Sequence, residues 1–243
     1  MPGSEHRVKS SFQGPNALPV YVQVAELLIR DIGAGRLIDG ERLPPEREMS
    51  KQLGVSIGTL RKALAELETK GLLDRVHGSG NYVRTGNDGQ GVYAMFRLEL
   101  LGGGGLPRAT ILSVETLRKP GDLPEFGQSS HASRIRRLRY LNDTIVALEE
   151  IWLDRAAGEV TAAALSDSLY HFYQSQLGFW IRRAEDRVSL AKVPEWSPDA
   201  FTKPVGSVTG YVERFSWSDL PEPVEFSRTW FDTDRAVYVQ RLR

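Results

Sequence analysis

The sequence predicts an α+β chain in two parts: a helical N-terminal module ending in a small hairpin, and a strand-rich C-terminal domain. Three observations carry this. Apolar residues recur at helical spacing from Pro19 to Leu67. From Val92 onward, runs of strand-forming residues bounded by Gly, Pro, Asn and Asp take over. Between the two, residues 85–91 read TGNDGQG, the composition of a linker. The expected organisation is a flexible arm over residues 1–18, a module over 19–84, a linker over 85–91 and a second domain over 92–243.

Pro19 opens the first helix, where a proline is tolerated. Tyr21, Val24, Leu28 and Ile32 form one stripe with Leu27 beside it, and Gly33 and Gly35 end it. Pro44-Pro45 sets an extended entry to a second helix, with Glu46 and Glu48 in its first turn and Gly54 at its end. Ser56 caps a third helix, whose stripe is Ile57, Leu60, Ala63, Leu64 and Leu67 and which Lys70-Gly71 closes. Leu72 to Val76 and Asn81 to Arg84 then read as a hairpin around His77-Gly78-Ser79-Gly80. In the second domain, strands are expected over 92–101, 110–117, 135–141, 145–153, 181–192 and 205–217. Helical signals fall at Ser168 to Leu177 and Ser197 to Thr202.

Two helices crossing through a tight turn, followed by a hairpin, make a winged helix-turn-helix. Such a helix enters the major groove with its first residues toward the base edges, while flanking groups hold phosphates. Here those residues are Ser56, Gly58, Thr59, Arg61 and Lys62, with Arg47 at the preceding helix start. The wing tip, His77, Gly78 and Ser79 through Asn81, is placed for the adjacent minor groove or its phosphates, with Arg75 and Arg84 nearby. The plainer alternative is a small helical subdomain with solvated charges, because Glu66 and Glu68 share the third helix.

Composition narrows the classes. Lys+Arg and Asp+Glu both total 31, so overall charge gives no hint of nucleic acid, although a local basic face suffices for a groove. The absence of Cys excludes disulfides and thiolate metal sites and fits a reducing cytoplasm. No apolar run approaches the roughly 20 residues that span a bilayer. The four histidines, His6, His77, His131 and His171, lack metal-ligand spacing, and no nucleotide fingerprint or nucleophile elbow is present. No cofactor, metal or catalytic residue is expected.

Misplaced charges mark a second site. Strand alternation puts Ile135, Arg137, Arg139 and Leu141 on one face, and Ile145, Ala147, Glu149, Ile151 and Leu153 on one face of the next strand. A three-residue loop at Asn142-Asp143-Thr144 would set Arg137 opposite Glu149. The group is either a structural ion pair or a polar cavity for an anionic or hydroxyl-rich ligand, since guanidinium forks suit carboxylate and phosphate. Ser168 would cap its helix or hold a ligand anion, and Glu225 precedes Phe226-Ser227-Arg228 in a strand.

From Pro19 to Val83, the spaced positions Leu43-Pro44-Pro45-Glu46-Arg47-Glu48, Leu53-Gly54-Val55-Ser56, Thr59-Leu60-Arg61-Lys62-Ala63-Leu64, Gly71-Leu72-Leu73 and Gly78-Ser79-Gly80-Asn81-Tyr82-Val83 resemble the winged helix-turn-helix of the GntR family of bacterial regulators. Of these, Arg47, Thr59, Arg61 and Gly78 match its DNA-contacting positions. Ile57 stands where the family usually has Arg, which implies an altered operator preference. Arg137-Leu138-Arg139, Leu148-Glu149-Glu150, Ser168-Leu169-Tyr170 and Val224-Glu225-Phe226-Ser227-Arg228 resemble the UTRA domain of the HutC-type members, a chorismate-lyase-like α+β fold that binds effectors. That resemblance implies an effector site of Arg137, Arg139, Glu149, Ser168, Tyr170 and Glu225. The same resemblance adds to the effector site Phe231, in the place of a frequent pocket Tyr, and Phe96 and Arg97 near the first strand, where Arg97 stands in place of a small hydroxyl residue.

The expected function is an effector-responsive regulator of transcription: a cytoplasmic homodimer on a palindromic operator, acting as a repressor released by a small anionic metabolite such as a sugar phosphate or a carboxylate. The alternatives are an enzyme acting on such a metabolite in the C-terminal pocket, and a constitutive DNA-binding dimer without effector.

Overall fold

Proline placement decides where the first two helices begin. In the computed structural model, which describes residues 18–76, 78–84, 97–105, 107–165 and 169–241, Pro19 and Pro45 immediately precede α1 (Val20–Gly33) and α2 (Glu46–Gln52). There a missing N–H costs nothing, and each proline's carbonyl accepts the first helical bond, from Val22 N and Glu48 N at 2.8 Å. Gly54, at φ +66°, turns the chain out of α2, a conformation that any side chain would strain. α3 (Ile57–Thr69) follows, capped by Ser56, whose Oγ accepts from Thr59 N at 3.0 Å.

Two compact units result: residues up to Arg97 together with Val239–Arg243, and Leu98–Tyr238. In the first, Leu60, Ala63, Leu64 and Leu67 of α3 are wholly buried, and α3 packs on α1. Truncating one such leucine to Ala costs about 2–5 kcal/mol. The buried stripe of α1 is Val24, Leu28, Ile29 and Ile32; Ile29, rather than the expected Leu27, joins the core. β1 (Leu73–Val76) and β2 (Gly80–Val83) form the hairpin, with Leu73 opposite Val83. Arg42 adds an antiparallel bridge to Tyr82.

The second unit is built on a six-stranded antiparallel sheet in the order β4-β5-β6-β9-β8-β7. Its strands are β4 (Pro107–Arg118), β5 (His131–Leu141), β6 (Thr144–Asp154), β7 (Arg183–Lys192), β8 (Val208–Trp217) and β9 (Glu225–Phe231). A separate ribbon pairs β3 (Leu98–Leu100) with β10 (Ala236–Tyr238), also antiparallel. α4 (Leu169–Phe172) widens into a π turn over Tyr173–Leu177. Several expectations change. Ser197 to Thr202 is not a helix but consecutive turns closed by Ser197 N to Pro194 O and Phe201 N to Pro198 O, because Pro194, Pro198 and Pro204 leave no room for a helical ladder. Of the strand expected over 92–101, Leu98–Leu100 is strand and residues 92–96 lie outside the described residues, while β10 was too short to betray itself by alternation.

The two faces of the sheet differ. On one, Phe126, Ala132, Trp152, Phe215 and Phe226 form one apolar cluster, and Leu138, Leu148, Val193, Phe201 and Trp230 form another. Along a single level between them, Arg136, Glu150, Arg228, Glu213 and Arg187 stand opposite one another on successive strands, alternating in sign. The loop that delivers Phe126 is fastened by buried Asp154, which accepts from Lys119 Nζ (2.5 Å), Ser129 N (3.0 Å) and Ala156 N (2.8 Å). The other face carries Arg137, Arg139, Glu149, Arg214 and Glu225.

Candidate nucleic-acid interface and effector site

The start of α3 presents exposed Ser56, Gly58, Arg61 and Lys62, with Thr59 half-buried, and Arg47 is exposed on α2. Ser56 Oγ and Thr59 Oγ1 lie 2.8 Å apart, so the cap also orients the threonine. Arg61 Nε donates to Glu46 Oε2 at 2.6 Å while its side chain stays 65% exposed. An exposed ion pair of this kind is worth about 0–1 kcal/mol, little enough for a phosphate to exchange with Glu46. A Cβ on Gly58 would meet only Ser56 Oγ, at 3.8 Å. Packing therefore does not require glycine here, although mid-helix it costs about 0.5–1 kcal/mol relative to Ala. In the wing, Gly78 is exposed, and Ser79 Oγ lies 2.7 Å from Tyr82 OH. His77 lies outside the described residues. Arg75 is tied back to α3 through the Arg61 carbonyl (3.4 Å) and Glu68 (3.5 Å). Arg42, unnoticed in the sequence, lays its guanidinium against Gly80, where a Cβ would come within 3.0 Å of Nε.

In the second unit, Arg137 stands directly opposite Glu149, but by a different route from the one expected. The turn holds two residues, Asn142 and Asp143, with Asn142 left-handed at φ 55°, and a bulge between Arg139 and Tyr140 shifts the register back by one. Arg137 donates from Nε (2.9 Å) and Nη2 (2.5 Å) to Glu149 Oε2, and Arg139 Nη1 lies 3.7 Å from the same oxygen. Arg137 is 4% exposed, and its Nη1 is buried with no hydrogen-bond partner among described residues. Burial alone would push the Glu149 carboxyl up; Arg137, Arg139 and Arg214 together outweigh it and hold the group below the usual carboxylate range.

Glu225 is the opposite case. Burial pushes its pKa up, and the Glu149 charge pushes the same way. The hydroxyls of Tyr173 (2.5 Å) and Ser216 (2.8 Å) and the charge of Arg214 pull it down without overcoming burial. Phe231 is buried on the same face, its ring seated over Gly210, where a Cβ would lie 2.3 Å from Cζ. Phe96 and Ser168 lie outside the described residues, as does the side chain of Tyr170. Arg97 falls in the first unit, where its carbonyl accepts from Val239 N. Sequence reasoning missed Arg214, which grips Asp186 with Nε (2.5 Å) and Nη2 (2.6 Å), and Tyr173 and Ser216 on Glu225. The signal that exposed Arg137 was available for Arg214 too, since it follows Val208, Gly210 and Val212 on one strand face. Asp186 lies in a run of mixed charge that offers no such contrast.

The family described as bacterial regulatory proteins, gntR family, matches residues 20–83, and the UTRA domain matches residues 103–236. The chain belongs to the GntR family. It is a UTRA-containing GntR regulator with a DNA-binding and an effector-binding domain, and not an enzyme. It is 52% identical to the HTH-type transcriptional regulator SmoD of Agrobacterium fabrum, over 93% of this chain and 97% of that one. It is 28% identical to the mannosyl-D-glycerate transport/metabolism system repressor MngR of Escherichia coli, over 89% and 92%, and 25% identical to the repressor NagR of Bacillus subtilis, over 93% and 95%. The crystal structure of the possible transcriptional regulator YydK from Bacillus subtilis shares the fold of this GntR chain, with a TM-score of 0.53 at 20% identity, covering 93% of this chain and all of that one. Among described residues, no helix is long and apolar enough to cross a membrane.

Proposed function

We propose that this GntR regulator is a cytoplasmic homodimeric repressor that leaves a palindromic operator when a small anionic metabolite, a sugar phosphate or a carboxylate, enters its UTRA domain. The observation that carries the anionic class is the Arg137–Glu149–Arg139 group. It comprises two buried guanidinium groups on one carboxylate, a third guanidinium in range, and one buried Arg137 N–H without a partner among the described residues. A carboxylate or phosphate oxygen satisfies that donor and balances the excess charge. Ser56, Gly58, Thr59, Arg61, Lys62 and Arg47 form the reading surface, with Gly78 and Ser79 of the wing on the flanking backbone; His77, which precedes Gly78 in the sequence, is assigned to the same contact. Repression is supported by the names of MngR and NagR, both repressors. Two copies of the winged motif suit two-fold-related half-sites, because dimer symmetry is mirrored in the operator.

Hydroxyl-radical footprinting on the DNA upstream of the protein's own gene tests this reading. Two symmetric protected half-sites, about one helical turn apart or a multiple of it, with affinity falling steeply as salt rises, are expected. Uniform, sequence-independent protection would overturn it.

A further inference from the structure

Three neighbouring levels of the sheet meet at Arg214. Glu149, Thr229 and Val212 face one another on β6, β9 and β8; at the next level stand Ile151, Ser227, Arg214 and Asp186; at the one beyond, Leu153, Glu225 and Ser216. Arg214 thus lies between the two carboxylates of the candidate site, and its charge lowers the pKa of both. It is held elsewhere: the guanidinium makes a bidentate fork on Asp186, and Asp186 Oδ2 also accepts from Tyr238 OH at 2.6 Å. Tyr238 ends β10, which among the described residues pairs with β3 alone. This short ribbon is also where the chain enters and leaves the second unit, since Leu98 follows Arg97 and Tyr238 precedes Val239, both of the first unit.

We propose that Arg214 is the effector-site residue through which occupancy is felt outside the site: an anion draws its guanidinium off Asp186, and Asp186 then releases Tyr238 and the β3–β10 ribbon. The inference rests on the anionic-effector reading above and adds the residues of its output. Competition is feasible because the fork is a single carboxylate, and an oxyanion beside Arg137, Arg139 and Arg214 offers Arg214 the same geometry. The bidentate fork fixes the orientation of the Asp186 carboxylate, so once the guanidinium leaves, the carboxylate is free to turn away from Tyr238 OH. The ribbon has three residue pairs, and the Tyr238–Asp186 bond ties its end to β7, so a change at Tyr238 acts on the end of a short element. The latch is closed in the structure, and this closed arrangement is assigned to operator binding.

The test uses the full-length, ligand-free protein and four variants: Tyr238→Phe, Asp186→Asn, Arg214→Met and the double variant Arg214→Met/Tyr238→Phe. Arg214→Met mimics an anion by taking the fork away. Amide hydrogen exchange at Leu98–Leu100 and Ala236–Tyr238 is expected to rise roughly tenfold or more in each single variant, the effect of losing a hydrogen bond to a charged group. The double variant is expected to rise no further than the larger single. Affinity for the upstream DNA is expected to fall at least about threefold in each single variant, again without addition in the double, a coupling within the usual allosteric range. Tyr211→Phe, which removes a hydroxyl from the other sheet face, is the control that changes neither. Unchanged ribbon exchange in Tyr238→Phe, additive effects, or a loosened ribbon with unchanged DNA affinity would each overturn the latch. A wild-type protein that does not bind the upstream DNA overturns the regulatory reading instead, and the exchange arm still decides the latch.

Discussion

Glu149 and Glu225 share one sheet face, yet their environments push them in opposite directions, and this makes a sharp prediction about pH. Glu149 is held below its ordinary range, so the unfolded chain binds more protons than the folded one and Glu149 adds stability as pH rises. That stability is present above the unfolded pKa, about 4.3, and is lost as pH falls through the folded value. For Glu225 the sign reverses. Its folded pKa is raised, so its contribution is complete below the unfolded pKa and lost as pH climbs toward the folded value. Each unit of difference is worth about 1.4 kcal/mol. Glu225→Gln keeps an acceptor for Tyr173 or Ser216 but cannot ionise. Relative to wild type it therefore gains about 1.4 kcal/mol per pH unit above ~4.3, until the folded pKa is reached. Glu149→Gln leaves Arg137 and Arg139 buried without their carboxylate, a loss of about 3 kcal/mol at neutral pH that shrinks on acidification. The assay is urea unfolding between about pH 2 and 9 followed by tryptophan fluorescence, so that it spans the region below ~4.3 where Glu149 titrates. All five tryptophans, Trp152, Trp180, Trp196, Trp217 and Trp230, lie in the second unit, so the signal reports that unit alone. Stability differences that run parallel to wild type at every pH would refute the assignment of opposite shifts.

Other perturbations separate reading from packing. Gly58→Ala is expected to stabilise the first unit by about 0.5–1 kcal/mol through helix propensity while weakening DNA binding; thermal melts and fluorescence anisotropy on the same variant check both signs. Ser56→Ala removes the cap on Thr59 N and should cost about 1 kcal/mol, read from loss of helical circular dichroism on heating. Replacing Arg47 or Lys62 by Ala should lower the slope of log K against log salt by about 0.9 for each phosphate no longer neutralised, with equal effect on cognate and random DNA. Asp154→Ala strips Lys119 of its carboxylate and two backbone N–H groups of their acceptor, and should destabilise the second unit by about 3–5 kcal/mol in the tryptophan assay.

The helical module was legible because each boundary has a local cause: Pro19 and Pro45 at two starts, Ser56 at the third, Gly54 in the turn. The long strands were legible from alternation, and Arg137, Arg139 and Glu149 stood out because charges interrupted it. What stayed hidden depended on pairings between distant strands. Asp186 and Tyr238 gain meaning only when β7 and β10 come together, and Arg214 only when Glu149 and Glu225 are found one level away on either side. Ser197 to Thr202, expected as helical, forms turns because Pro194, Pro198 and Pro204 interrupt the stretch. The Arg137–Glu149 pairing was anticipated with the wrong loop, since a two-residue turn plus a bulge gives the same register there as a three-residue loop.

The central claim is that an anion at the Arg137–Arg139–Glu149 group controls DNA binding. Equilibrium anisotropy with labelled upstream DNA tests it directly, titrating wild type and Arg139→Ala in the presence of each of a panel of phosphorylated sugars and small carboxylates. At least one compound is expected to weaken wild-type binding about 5–150-fold, the range of a coupling free energy of about 1–3 kcal/mol, and to leave Arg139→Ala unmoved. Wild-type affinity that no compound alters, or an Arg139→Ala variant that responds as fully as wild type, would contradict it.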